Sequence, residues 1–328
     1  MRPLPTLRTA VAMTLATLAL VGCDVKQDGV RFVRVASGPA GGAWYPVGAK
    51  IAHVLGDGIS EISTSSMPGG SETNIMDVNR GNAEIAFAYS SAVYDAARGV
   101  GQFTEPQANV VHFATLYPAA LQTAVPRRSN VYSYGDLGDK NISPGMAGWS
   151  GTGIVREILS AYGISFESVR QSGGAVHYVD FADSGALMKD RHIDAFMAVA
   201  GVPLAAILDL NFQPGVRLLP IETDKLEQIL DYNPALIEMV IPKEAYDGLT
   251  EDVPTVGVPT TLVIHKDLPE DLVYQMTKIF WESHAQFLEI APSWQGVRLE
   301  DALLAVVIPV HPGAQRYYDE VGVRAKAR

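Results

Sequence analysis

Apolar runs of five to eight residues alternate with amphipathic stretches along most of the chain, and glycine, serine or proline clusters punctuate the joins. Residues 30–37 (VRFVRVAS), 61–66 (EISTSS) and 83–91 (AEIAFAYSS) read as strands. Between them, residues 45–57 (YPVGAKIAHVLGD) and a stretch opening near Ser71 carry helical periodicity, and 92–99 (AVYDAARG) forms a further helix with Gly99 as its stop. This βαβαβ rhythm predicts a mostly parallel sheet flanked by helices. An apolar run follows at 110–126 (VVHFATLYPAALQTAVP), with the look of a strand passing from one lobe to another. The rhythm then repeats. Residues 140–146, 169–173 (VRQSG), 193–200 and 216–221 read as strands, 153–163 (GIVREILSAYG) as a helix, and a helix lies between the strands at 169–173 and 193–200. A second crossing strand spans 253–267. The tail predicts one helix over 270–290, another around 299–305, and a last one opened by Pro312-Gly313 and packed down by Arg316 and Tyr317.

The expected architecture is an α/β, two-lobed fold of the periplasmic-binding-protein type (type II-like), each lobe a mostly parallel sheet, joined by two crossing strands. Residues 31–118 plus 258–328 form lobe I, and 119–257 lobe II. A length of 328 residues suits two lobes better than one core. With 48% apolar and 19% charged residues, burial can support folding throughout. The net charge of −11 is unsuited to a phosphate backbone, so nucleic acid is excluded as a partner.

The first residues read as an export signal. Arg2 and Arg8 precede an apolar run from Val11 to Val21, shorter than the ~20 residues of a membrane span. The run ends in Leu20-Val21-Gly22-Cys23, which resembles a lipobox. Residues 1–22 are then a lipoprotein signal peptide, Cys23 the lipidated residue, and 23–30 a polar leader. Losing Arg2 and Arg8 takes the net charge from −11 to about −13. Cys23 is the one cysteine, so no internal disulfide forms. Asp24 resembles the signal for retention on an inner membrane. The expected location is the periplasmic face of that membrane, or the cell surface, held by lipid alone.

Small polar residues stand where strands meet helices in both halves: Ser37 to Gly42, Pro68 to Ser71, Ser90-Ser91, Ser150-Gly151-Thr152 and Gly201-Val202-Pro203. The first amides of a helix lack partners and carry partial positive charge, so such openings accept a carboxylate or phosphate without a basic side chain. Trp44, Tyr45 and Tyr89 are either pocket walls or core packing. Arg156 is a candidate for a ligand's far charge. Enzyme motifs fail: Gly148-Trp149-Ser150-Gly151-Thr152 departs from G-x-S-x-G in its last place, the turn at 38–42 lacks a phosphate-loop ending, and the seven histidines show no metal-ligand spacing. No enzyme activity, cofactor or metal is expected.

Taken in order, GPAGGAWYPVGAKIA, PGGSETNIMDVNRGNAEIAFAYSSAVYDAARG, GMAGWSGTGIVREIL, IDAFMAVAGVP, EDVPTVGVPTTLVIHKDLPEDLVYQMTK and PVHPGAQRYYDE resemble the TAXI class of solute receptors, which serve one branch of TRAP transporters. The resemblance implies a hinged receptor that closes on a small carboxylate (a dicarboxylate, keto acid or glutamate-like solute) and passes it to small and large membrane subunits, often fused. The ligand-binding positions it implies are Gly42, Trp44, Tyr45, Tyr89, Ser90, Ser91, Ser150, Gly151, Thr152, Gly201, Val202 and Pro203. Tyr89-Ser90-Ser91 stands where the family commonly has Gln-Ser-Asp, and that loss of acidity favours a keto or hydroxy acid over an amino acid. The rival readings are a receptor for an ATP-driven importer, a ligand-sensing adaptor of a membrane kinase, and a secreted lyase.

Overall fold

The computed structural model describes residues 31–38, 43–213, 215–290 and 292–325. Gly42, Cys23, the signal segment and the leader lie outside them. The elements are β1 (Arg31–Ala36), α1 (Trp44–Gly58), β2 (Ile62–Met67), α2 (Ser71–Asn79), β3 (Ile85–Tyr89), α3 (Ser90–Arg98), β4 (Val110–Pro126), β5 (Ile142–Ser143), α4 (Ser150–Ala161), α5 (Phe166–Gln171), α6 (Phe181–Lys189), β6 (Ala195–Ala200), α7 (Ala205–Phe212), β7 (Val216–Leu218), α8 (Thr223–Tyr232), β8 (Ile237–Ile241), β9 (Val253–His265), α9 (Glu270–Glu282), α10 (His284–Leu288) and α11 (Pro312–Glu320). Among the described residues no helix is long and apolar enough to cross a membrane.

The strands form one continuous mixed sheet in the order β2-β1-β3-β9-β4-β6-β5, with β7 also on β4 and β8 also on β9. β1, β2 and β3 are parallel, as are β5 and β6, while every pairing that involves β4 or β9 is antiparallel. Both faces of β4 and β9 are covered, which explains their near-continuous apolar sequences. The buried side chains divide on either side of the crossing. Two clusters draw on residues up to Tyr117 and from Leu262 onward, and two others on residues from Ala119 to Val258. The fold is therefore two-lobed, and the lobes share one sheet.

The ladder between β4 and β9 shifts register between His112 and Ala114 and again between Thr115 and Pro118. The tail supplies partners there. Thr115 N donates to Ala302 O at 2.8 Å, Thr115 Oγ1 to Leu304 O at 2.8 Å, and His112 N to Pro309 O at 2.8 Å. The His112 ring is buried against Ala302 O at 3.0 Å, and burial lowers its pKa to about 4, which keeps it neutral.

Three sequence expectations are corrected. Residues 169–171 end helix α5 and 172–173 form the turn after it, rather than a strand: Ser165 Oγ accepts from Ser168 N at the start of α5, and Phe166 and Val169 are buried three residues apart. A five-residue window cannot separate that stripe from strand alternation. The helix over 270–290 is broken at Ser283, where His284 Nε2 turns to Val297 O at 2.8 Å. The segment around 299–305 holds a 3₁₀ turn at Leu299–Asp301, because Ala305 takes a left-handed φ of 51° and the nearby carbonyls serve β4. The last helix opens at Pro312, with Arg316 on Asp271 at 2.9 Å and over the Tyr274 ring at 4.2 Å.

Asn74 joins the ends of two lobe I strands. Its amide, buried in α2, donates to Ser37 O and Phe87 O at 2.7 Å each and to Ala36 O at 3.3 Å, while its oxygen accepts from Gly70 N at 3.2 Å. Removing it strands several buried polar groups. Asn74→Ala is expected to cost about 2–4 kcal/mol in urea unfolding, well above an ordinary surface change.

Candidate functional site

A cavity of about 330 Å³ lies between the lobes, at the lower end of the size of small-molecule sites. Lobe I contributes Glu72 from α2, Ser91, Ala92 and Asp95 from α3, and the turn Gly101–Phe103. Lobe II contributes Gly148 to Ser150, Thr152, Arg156 and Glu157 around α4, and Asn233 after α8. Contacts across the gap hold the walls together. Ser150 Oγ donates to Glu72 Oε1 at 2.8 Å, Gln102 Nε2 to Gly148 O at 2.8 Å, and Ser90 Oγ to Ala235 O at 2.6 Å.

The sequence Ser150-Gly151-Thr152 divides its labour. Ser150, in the first turn of α4, faces lobe I. Gly151 lets α4 approach β6, since a Cβ there would sit 3.2 Å from Val199 Cβ. Thr152 Oγ1 is committed to its own loop, donating to Pro144 O at 3.0 Å or Met146 O at 2.8 Å. Of the positions singled out in the sequence, Ser91, Ser150 and Thr152 line the cavity together, and so does Arg156. The Arg156 guanidinium lies 5.2 Å from the centroid of the Phe166 ring.

The remaining positions lie elsewhere. Trp44 is half-buried, stacked on Phe87 with centroids 5.6 Å apart and edge-on to Tyr89 at 4.9 Å. Tyr89 reaches the lobe II core, and its N–H donates to Ser71 Oγ at 3.1 Å. Tyr45 is exposed and borders a separate shallow depression with His53, Thr64 and Ser66, away from the inter-lobe cavity. Gly201, Val202 and Pro203 do not line the cavity either. They follow β6, where Gln122 Nε2 donates to Ala200 O at 3.1 Å and Gly201 O at 3.2 Å, and the Val202-Pro203 bond is cis.

Sequence reasoning missed the acidic character of this cavity. Glu72, Asp95 and Glu157 all line it, and each has a pKa raised above the carboxylate norm, chiefly by burial. Asp95 also raises Glu72 and Glu157 through like charge, while Arg98 acts in the opposite sense on Asp95 and Glu157. A signal for Asp95 was available: it lies four residues after Ser91 on α3, hence on the same helix face. A group whose folded pKa is raised contributes stability at low pH that is lost as pH rises through the raised value. Thermal stability should therefore fall as pH rises above the ordinary glutamate value of 4.5. Glu157→Gln should raise the Tm at pH 7 while matching the parent below that value, a comparison that calorimetric scans across pH settle.

Structural comparison places PhnD1 of Prochlorococcus marinus, solved with methylphosphonate, at a TM-score of 0.54 and 9% identity, covering 90% of this chain and 100% of that one. A Xanthomonas citri protein bound to ATP matches at a TM-score of 0.50 and 10% identity, over 88% and 95% of the two chains. The aliphatic sulphonate binding protein SsuA of Escherichia coli matches at 0.47 and 14% identity, over 88% and 78%. PhnD1 and the Xanthomonas citri protein share the two-lobed α/β fold of this chain. At the level of sequence the match is with one family profile, which runs from residue 35 to residue 322, nearly the whole described chain, and the protein belongs to the NMT1-like family.

Proposed function

We propose that this chain is an extracytoplasmic solute-binding lipoprotein. It closes its lobes on a small carboxylate-bearing solute and delivers it to a TRAP-type secondary transporter. The observation that carries the reading is the cavity walled by both lobes and bridged by Ser150 on Glu72. A solute contacting both walls favours the closed arrangement by its differential contacts. Glu72 supports the carboxylate preference, because this protein carboxylate already accepts a hydrogen bond at the opening of α4. A solute carboxylate can take its place there, helped by the partial positive charge of the helix start. The methylphosphonate held by PhnD1, also a small anion, accords with that chemistry.

In this reading Ser91, Ser150 and Thr152 border the solute. Gly42, Trp44, Tyr45, Tyr89, Ser90, Gly151 and Gly201 to Pro203 remain candidates through the TAXI resemblance. Residues 1–22 direct export, Cys23 carries the lipid, and the membrane partners are the small and large TRAP subunits.

The test is a thermal-shift screen against small carboxylates and amino acids, paired with small-angle scattering. A bound solute at a hundred times its Kd should stabilise the native form by about 2.7 kcal/mol. Ser150→Ala should weaken its binding and enlarge the ligand-free radius of gyration by opening the gap. A complete screen with no stabilising solute and no compaction would sink the reading.

A further inference from the structure

The cavity gathers negative charge from both lobes. Asp95 comes from α3 of lobe I, Glu157 from α4 of lobe II, and Glu72 from α2. In this structure Asp95 lies close enough to act on both of the others through like charge. Nothing among the described residues ion-pairs with the three: Arg98 rests over the Tyr94 ring at 4.9 Å and Arg156 over the Phe166 ring at 5.2 Å.

Two oxygens in the wall are buried without partners. Ser91 Oγ belongs to a side chain only 7% exposed, and Glu157 Oε1 is left over after Oε2 accepts from Asn233 Nδ2 at 2.8 Å. Native proteins rarely leave such groups unmet, and both can accept a hydrogen bond. The carboxylates do not converge on one point as metal ligands do. Their spread suits an organic cation whose several N–H groups reach separate acceptors.

We propose that the solute held between the lobes is an organic cation with ammonium-type N–H groups and a net charge of zero or above, for which Ser91, Asp95 and Glu157 are separate acceptors. This rests on the cavity being the solute site. The cation offsets the repulsion that closure creates, so closure and recognition share one cause. A dicarboxylate would add charge of the same sign. The neutral Tyr89-Ser90-Ser91 segment therefore does not settle selectivity, because the acidity is supplied one helical turn further on, at Asp95, and from the opposite lobe.

Calorimetry and thermal shift on the full chain at pH 7 distinguish the possibilities. The amine probes are L-alanine, L-lysine, L-ornithine and putrescine, and the dianions are succinate and 2-oxoglutarate. At least one amine should bind, and Asp95→Asn and Glu157→Gln should each weaken it by about tenfold or more, with unchanged circular dichroism. Both variants should tighten any residual binding of 2-oxoglutarate, which a purely structural role would not do. Using one variant from each lobe guards against a folding defect in either. A dicarboxylate binding more tightly than every amine overturns the proposal and leaves the solute-binding role standing. Amine binding unchanged in both variants also overturns it, as does the absence of any shift with all four amines. Only a failure of every solute to bind and compact the protein removes the role itself.

Discussion

The antiparallel ladder between β4 and β9 runs from Val110 opposite His265 to Ala120 opposite Gly257, and it passes through the junction of the lobes. Backbone hydrogen bonds of this kind cannot be left open inside a protein without a cost of ~1–3 kcal/mol each. The two strands therefore tie the lobes together through one continuous backbone ladder. The register shifts at His112–Ala114 and Thr115–Pro118 concentrate the irregularity near the boundary between the two sets of core clusters. Most of what faces the cavity is carried on helices α2, α3 and α4 and the turns beside them, on one side of this ribbon or the other.

The cavity balances opposing terms. Ser150 on Glu72 and Gln102 on Gly148 draw the walls together, and the buried carboxylates push them apart. Hydrogen bonds that exchange with water contribute only ~0.5–1.5 kcal/mol net, so a few of them do not lock the gap.

Much of this architecture was legible in the sequence. β3, β4, β6 and β9 announce themselves as apolar runs, and α1 to α4 open where glycine, serine or proline stands before a periodic stretch. Short or irregular pieces were not legible. α5 hides in a window too small to show its period, and β8 (IEMVI) is a mostly apolar run of only five residues, too short to show a period of its own. At the site, the helix openings at Ser91 and Ser150 could be read because their chemistry is local. Glu72 and Glu157 could not, and Asp95 only through its place one turn after Ser91 on α3. An acidic residue on a helix face ordinarily means solvent, and only the packing of one lobe against the other turns that face into a cavity wall.

The tail that completes β4 has a bearing on how the chain is made. Lobe II is built from an uninterrupted stretch, whereas the lobe I core needs Leu262, Phe280, Trp294 and Tyr318, and the bulged stretch of β4 needs the carbonyls of Ala302, Leu304 and Pro309. A polypeptide emerging amino-terminus first can finish the later half before the earlier one. Residues 31–117 must wait, with apolar surface uncovered, until the last thirty residues arrive.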